Sequence, residues 1–453
     1  MKVIIKLVLI FVLVFDLSAQ NWEKVPGVNP FVHNVFLPSG DPNKVIIASD
    51  SIPMNHQSQQ PFQYFELLYG TGIQISNDGG RSFGISNWLD SVFVNTITES
   101  PESPNFWIMS FIEKGRMKIA YSTNGGENWT KGISNCDRSA KILNFAAYEN
   151  RLIGGAIDAN NGIFYSNDNF VTCGQNDTIS VSVRDIRVSS ANKIYIASDD
   201  RGNEGVYVSD DGGTTWRKDQ AGIQDLRIHT VQEPAAYELV VLCGADQVDP
   251  FTKEVTGKGI YLSHNDGQTW QLQGAEGFPV YKIVSHPKYP LFVAAACGPG
   301  GVYVSNDGGV NWQPYNSGFP ENGDVRYVAV PDLEKVDGGY LVYAGVYDNG
   351  LYRSVGIDPT LVSVENEKVN SLNVYPNPAK DFVDVYWNQD QNSNVTFQLF
   401  DLTGYQILSS EEFYQSGNNY KKINFPKTMN NGVYILQINS SDNVLTHKII
   451  IQN

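Results

Sequence analysis

Short runs of alternating residues recur along most of the chain. Ile73-Gln-Ile75, Ile119-Ala-Tyr121, Ile163-Phe-Tyr165, Val206-Tyr-Val208, Ile260-Tyr-Leu262 and Val302-Tyr-Val304 each lead directly into a serine. A period of two marks a strand with one buried face. Between these strands the chain is rich in Gly, Asn and Asp, the residues that close tight turns. The pattern therefore predicts many short antiparallel strands.

The eight residues that begin at each serine are also repeated. Ser76-Asn-Asp-Gly-Gly-Arg-Ser-Phe83 returns as Ser122-Thr-Asn-Gly-Gly-Glu-Asn-Trp129, Ser209-Asp-Asp-Gly-Gly-Thr-Thr-Trp216, Ser263-His-Asn-Asp-Gly-Gln-Thr-Trp270 and Ser305-Asn-Asp-Gly-Gly-Val-Asn-Trp312. Ser166-Asn-Asp-Asn-Phe-Val-Thr-Cys173 is a decayed copy, and Leu351-Tyr-Arg353 reaches Ser354 with no copy after it. The leading serines are spaced by 46, 44, 43, 54, 42 and 49 residues, the length of a four-stranded propeller blade. The Asp or Asn can bond the turn's own N–H groups, and glycine supplies the positive φ that closes the hairpin. Asp78, Asn124, Asp168, Asp211, Asn265 and Asp307 are therefore read as structural turn residues. The last serine lacks an outer strand after it. Asn21-Trp22-Glu-Lys24 matches the residues found after a box, so the first strand should pair into the last blade. The reading is all-β: a seven-bladed propeller of four-stranded blades over residues 20–356.

These motifs resemble the Asp-box (BNR) repeat of sialidases and of sortilin-like propellers, which xyloglucanases and a photosystem assembly factor also carry. The resemblance covers about three-quarters of the chain. It implies fold more than function, because the box is a turn device.

The remainder reads as a separate unit. Residues 357–371 form a polar linker. Leu372-Asn-Val-Tyr-Pro-Asn-Pro-Ala379, Phe382-Val-Asp-Val-Tyr386, Val395–Gly404, Asn431–Ile438 and Lys448–Asn453 then alternate as short strands, predicting a small Ig-like β-sandwich over 372–453. Tyr-Pro-Asn-Pro, Asp-x-x-Gly, Gly-Val-Tyr and the final Lys-plus-apolar strand are similar to the type A C-terminal sorting domain of the type IX secretion system. That resemblance implies a Bacteroidota source, the secretion machinery as a partner, and delivery across the outer membrane to the cell surface or medium. Lys2 and Lys6, an apolar run to Phe15 and the small residues before Gln20 read as a signal peptide over 1–19. No other stretch is long enough to span a bilayer.

Composition narrows the partners. The net charge of −16 lacks the basic footprint of a nucleic-acid binder. Of the four cysteines, none has zinc or redox spacing. The simplest reading is four isolated small buried residues, with a Cys136–Cys173 bridge as the alternative. No metal ligand set is apparent, although a structural or loop-bound Ca2+ is compatible with the loops, and no cofactor is expected.

A site would lie on the face opposite the boxes, where the loops between second and third strands emerge. Those loops carry Asp50, Glu113, Asp158, Asp199, Asp200, Asp246, Asp249 and Asp348. They form either an acidic mouth for cations or sugar hydroxyls, or ordinary turn aspartates. Counting five residues back from each inner strand's closing turn selects His33, Thr96, Arg184, His229, Lys282 and Arg326. In that register Arg184, Lys282 and Arg326 could converge on an anionic group. Two functional readings remain. The first is a propeller that binds a glycan or a protein partner. The second is a glycoside hydrolase, sialidase-like or xyloglucanase-like, using Asp158, Asp199 or Asp246. No sialidase Arg-Ile-Pro motif precedes the first box, the sequence does not place a three-arginine clamp, and the two-propeller cleft of xyloglucanases has one propeller here.

Overall fold

In the computed structural model, residues 22–451 are described except for several internal segments, the longest being 51–69, 86–91, 133–140, 235–239, 334–338 and 358–372. Every element among the described residues is a strand. Between Trp22 and Ser354 they form seven four-stranded antiparallel sheets. Six are consecutive: blade 1 (31–85), blade 2 (93–131), blade 3 (141–176), blade 4 (183–218), blade 5 (227–274) and blade 6 (282–314). Blade 7 takes three strands from 325–354 and its outer strand from Trp22–Lys24, with Trp22 opposite Ser354. That pairing closes the ring and covers the outer edge of the strand Gly350–Ser354.

The core lies between blades. Trp22 is fully buried, donates from Nε1 to the Tyr315 carbonyl at 2.6 Å, and stacks on Phe319 at 4.6 Å. Trp270 packs in the same sense against Tyr195, Val206 and Val208 of blade 4. Close approach of blades requires small residues. A Cβ on Gly155 would lie 2.4 Å from Val183 Cγ1 of the next blade.

The box geometry repeats nearly unchanged. Ser76 Oγ donates to Asp78 Oδ1 at 2.7 Å and accepts the Gly80 N–H at 2.9 Å. Asp78 Oδ1 then accepts the Ser82 N–H at 3.0 Å. The same three bonds recur in other boxes: Ser166 Oγ donates to Asp168 and accepts the Phe170 N–H, while Asp168 accepts the Thr172 N–H; Ser209, Asp211, Gly213 and Thr215 repeat the pattern, as do Ser305, Asp307, Gly309 and Asn311. Asn124 and Asn265 do the same with an amide oxygen. Thr215 holds the Asp211 carboxyl down to about 2 by hydrogen bonding it through both hydroxyl and backbone. Gly80 sits at φ +74°, and a Cβ there would strike the Tyr343 ring of blade 7.

The cysteines depart from the expectation of four isolated residues. Cys173 is disulfide-bonded, whereas Cys243 and Cys297 are free and buried. Cys173 occupies the box position that holds Trp or Phe in the other copies. It packs against a buried cluster that joins Ile108 and Met117 of the preceding blade to Phe164 and Phe170 of its own. Cys136 lies outside the described residues.

The tail forms two sheets. One has Asn373–Tyr375, Phe382–Gln389 and Gly417–Asn424; the other has Ser393–Asp401, Gln406–Tyr414, Gly432–Asn439 and Val444–Ile451. The alternation of their sequences turns Val383, Val385, Trp387, Phe397, Leu399, Leu436 and Ile438 into one buried cluster.

Candidate functional site

Six of the seven inner strands carry a β-bulge near their start. The skipped residues are His33, Asn95, Leu143, Arg184, His229 and Arg326. Blade 6 is regular, and Lys282 pairs directly with Ala296. A bulge leaves one residue out of the ladder and re-aims its side chain. The sequence register mixed two rows. His33, Arg184, His229 and Arg326 occupy the bulge row, while Thr96 and Lys282 lie one position farther along their strands. Their bulge-row counterparts are Asn95 and Tyr281. The count slipped because a bulge belongs to a strand pair and has no residue signature of its own.

The bulge row lies at the end of the inner strands where second strands pass into their loops. In blade 5 Arg227 forks onto Asp246, with Nε–Oδ1 at 2.6 Å and Nη2–Oδ2 at 2.7 Å. His229 Nε2 lies 2.8 Å from Oδ2. Asp246 is 1% exposed. Burial pushes its carboxyl up, but His229 and the Arg227 fork more than reverse this and hold it at about 2. Tyr281 stands 5.5 Å from the His229 ring. Arg326 comes next around the ring, forked onto Asp324 Oδ2 at 2.9 and 2.7 Å. Its guanidinium lies 3.9 Å from the Tyr347 ring centre and 5.7 Å from that of Tyr281. Phe31 of blade 1 meets Tyr347 at 5.2 Å.

These residues make one continuous arc across blades 5, 6, 7 and 1. Backbone bonds stiffen it. Gly298 and Val325 exchange two N–H···O bonds of 2.9 Å, and Tyr347 N–H donates to the Asp324 carbonyl at 2.8 Å. Gly298 adopts φ +56°, and a Cβ there would meet Pro279 at 2.9 Å. Phe31, Tyr281, Arg326 and Tyr347 are half-buried, so each shows part of its surface at the mouth.

The remaining sequence-selected residues disperse. Arg184 Nε binds Asp199 Oδ2 at 2.5 Å. Lys282 Nζ binds both oxygens of Asp185 at 3.2 Å, deeper along the strands. Arg184, Lys282 and Arg326 thus each face a different carboxylate and share no common ligand position through contacts of their own. Asp200 is half-buried and accepts through its carbonyl the Asn203 N–H of its own turn. Asp348 is exposed at φ +57° in the turn after Tyr347. Asp50 ends the strand Val45–Asp50, opposite Phe31 and Gly70, and Asp158 lies outside the described residues. No group of three or more His, Cys, Asp or Glu among the described residues could hold a metal ion. Sequence reasoning passed over Arg227, Tyr281, Asp324 and Tyr347. The spacing Asp324-Val-Arg326, acid and base two apart on one strand face, was the available signal.

Known families and folds match both parts of the chain. Residues 373–452 match the secretion system C-terminal sorting domain. The tail therefore carries the chain out through the type IX secretion system to the cell surface or beyond. Residues 207–218, the fourth-blade box, match the BNR/Asp-box repeat. No curated protein matches the sequence. Among solved structures the chain is similar to YCF48 from Cyanidioschyzon merolae, at 14% identity and TM-score 0.53, over 76% of this chain and 100% of that one. A second structure, YCF48 bound to D1 peptide, aligns at 14% identity and TM-score 0.52 over 75% and 99%. The GH74 xyloglucanase from Xanthomonas campestris aligns at 13% identity and TM-score 0.54, over 82% of this chain but 59% of the enzyme. At such identities the likeness is one of fold, that of a β-propeller. Among the described residues no helix is long and apolar enough to cross a membrane.

Proposed function

We propose that this exported propeller is a binding protein that captures a protein segment or glycan at the mouth arc without cleaving it. The observation that carries the reading is the Arg326–Tyr347 stack, flanked by Phe31 and Tyr281, on strand ends fixed by backbone bonds. Preordered aromatic and guanidinium surfaces contribute contact area with little loss of conformational freedom on binding. Such surfaces suit both a peptide and the apolar face of a sugar ring. A bound peptide in a structure of like fold supports the protein-segment form.

Two of the three carboxylates of the hydrolase alternative, Asp199 and Asp246, argue against it; Asp158 lies outside the described residues. A glycosidase needs one carboxyl protonated near neutral pH and a second free to attack or activate water. Asp246 is fork-bonded and held ionised down to about pH 2. Asp199 gives an oxygen to Arg184. Neither is placed to donate a proton.

The test is a panel of polysaccharides, sialosides and extended peptides, assayed for binding and for reducing-sugar release. The proposal expects at least one binder whose affinity drops about tenfold or more in Arg326→Ala or Tyr347→Ala, the order of a desolvated cation–π contact plus lost area. Sugar release abolished by Asp199→Asn or Asp246→Asn would overturn it.

A further inference from the structure

The row of side chains one step below the mouth has a charge imbalance of its own. Asp185, in the inner strand of blade 4, is 1% exposed. Its Oδ2 accepts the Thr230 hydroxyl of blade 5 at 2.8 Å, and both its oxygens lie 3.2 Å from Lys282 Nζ of blade 6. Arg187 comes two residues later, on the same strand face. Its nearest approach to Asp185 is Nη2–Oδ1 at 3.8 Å, beyond hydrogen-bonding distance. Its Nε is buried without a hydrogen-bond partner. The other groups turned toward this cluster from the packed strands, Thr230 and Tyr327, are neutral; burial holds the Tyr327 phenol up at about 12. Lys282 Nζ stands 5.9 Å from the Tyr327 ring centre.

Two cations against one carboxylate leave a net charge of +1 inside the ring. Asp185 and Lys282 are almost wholly buried while the Arg187 side chain is 30% exposed, so the excess charge is costly unless a proton leaves, or water or an anion reaches Arg187. Both pressures register on Lys282: burial and then the Arg187 charge hold its ammonium down to about 8, against the pull of Asp185. An arginine with an unsatisfied Nε is also half of a bidentate carboxylate fork.

We propose that the channel of this propeller binds a carboxylate between Arg187 and Lys282, restoring neutrality around Asp185. The shared chemistry is a single carboxylate, carried either by a small organic acid or by the free C-terminus of a peptide. This site uses none of the mouth-arc residues. Its failure and that of the binding reading above are therefore separate outcomes.

The experiment is a titration of the full-length protein by calorimetry and thermal unfolding at matched ionic strength. Its arms are sodium acetate, sodium chloride, triglycine and triglycine amide. Acetate is expected to raise the unfolding temperature saturably relative to chloride. Arg187→Gln and Lys282→Met should each weaken acetate at least tenfold. Triglycine binding with loss of affinity in the amide identifies a chain terminus as the source; acetate binding without triglycine binding identifies a small acid. Wild-type protein supplies a measurement independent of any variant's folding. Acetate affinity should fall about tenfold from pH 7 to pH 9 as Lys282 loses its proton, because Asp185, Arg187 and Tyr327 do not change charge in that interval. Superimposed acetate and chloride curves, or a flat pH profile, would overturn the proposal.

Discussion

Replacing Asp246 by Asn changes one oxygen to an amide and removes one buried charge. The carboxylate is 1% exposed, with Arg227 at 2.6 and 2.7 Å and His229 at 2.8 Å. Its ordinary value of 3.8 falls to about 2 in the fold. At ~1.36 kcal/mol per pKa unit, that depression corresponds to roughly 2 kcal/mol of stability at neutral pH. Asp246→Ala should cost more, on the order of 3–5 kcal/mol, because it strands the Arg227 guanidinium without its fork. Because the folded value is lowered, the contribution is complete above the unfolded value near 4. It is lost as pH falls through 4 toward 2. Urea unfolding monitored by tryptophan fluorescence reads this well, since seven of the eight tryptophans precede residue 355. At pH 7 the Asn variant should unfold at lower urea with an unchanged slope. The gap should narrow steadily below pH 4. Equal midpoints at pH 7, or a gap that stays constant to pH 2, would refute the reasoning.

The packing sets three further outcomes. Trp22→Ala should lose about 3–5 kcal/mol, because a fully buried ring and its bond to the Tyr315 carbonyl hold the closing strand; urea midpoints measure it. Asp266→Ala should cost a similar ~3–5 kcal/mol, since that carboxylate binds Lys193, Arg217 and the Tyr195 hydroxyl across blades 4 and 5; a double-mutant cycle with Tyr195→Phe should show strong coupling between the two sites. Native protein should react slowly with thiol reagents, because Cys243 and Cys297 are buried and burial pushes both thiols up; both should react at once in denaturant.

The blades could be read from the residues because a box is local chemistry. Ser76, Asp78 and Gly80 bond one another within five positions, so the spelling of the turn reveals the turn. The closing strand was readable for the same reason, since Trp22 takes the place in the sequence pattern that Trp216 and Trp312 hold at the ends of their boxes. The mouth was not readable in this way. Its geometry depends on bulges that exist between strands, and on partners such as Asp324 and Tyr347 that meet Arg326 only after blade 7 folds. Arg184, Lys282 and Arg326 looked equivalent in a count, yet the fold gives each a separate acid. Cys173 shows the limit from the other side. Its box had decayed enough that a bridge to Cys136 stood only as the alternative to an isolated buried thiol, yet Cys173 is disulfide-bonded.

The central claim is that the mouth holds its ligand and leaves it intact. The most direct measurement is mass spectrometry of a ligand from the binding panel after prolonged incubation with the protein, alongside its retention on immobilised protein. The account predicts full-mass ligand, retained by wild type and released by Arg326→Ala/Tyr347→Ala. Ligand recovered as fragments, with fragmentation lost in Asp199→Asn or Asp246→Asn, would contradict it.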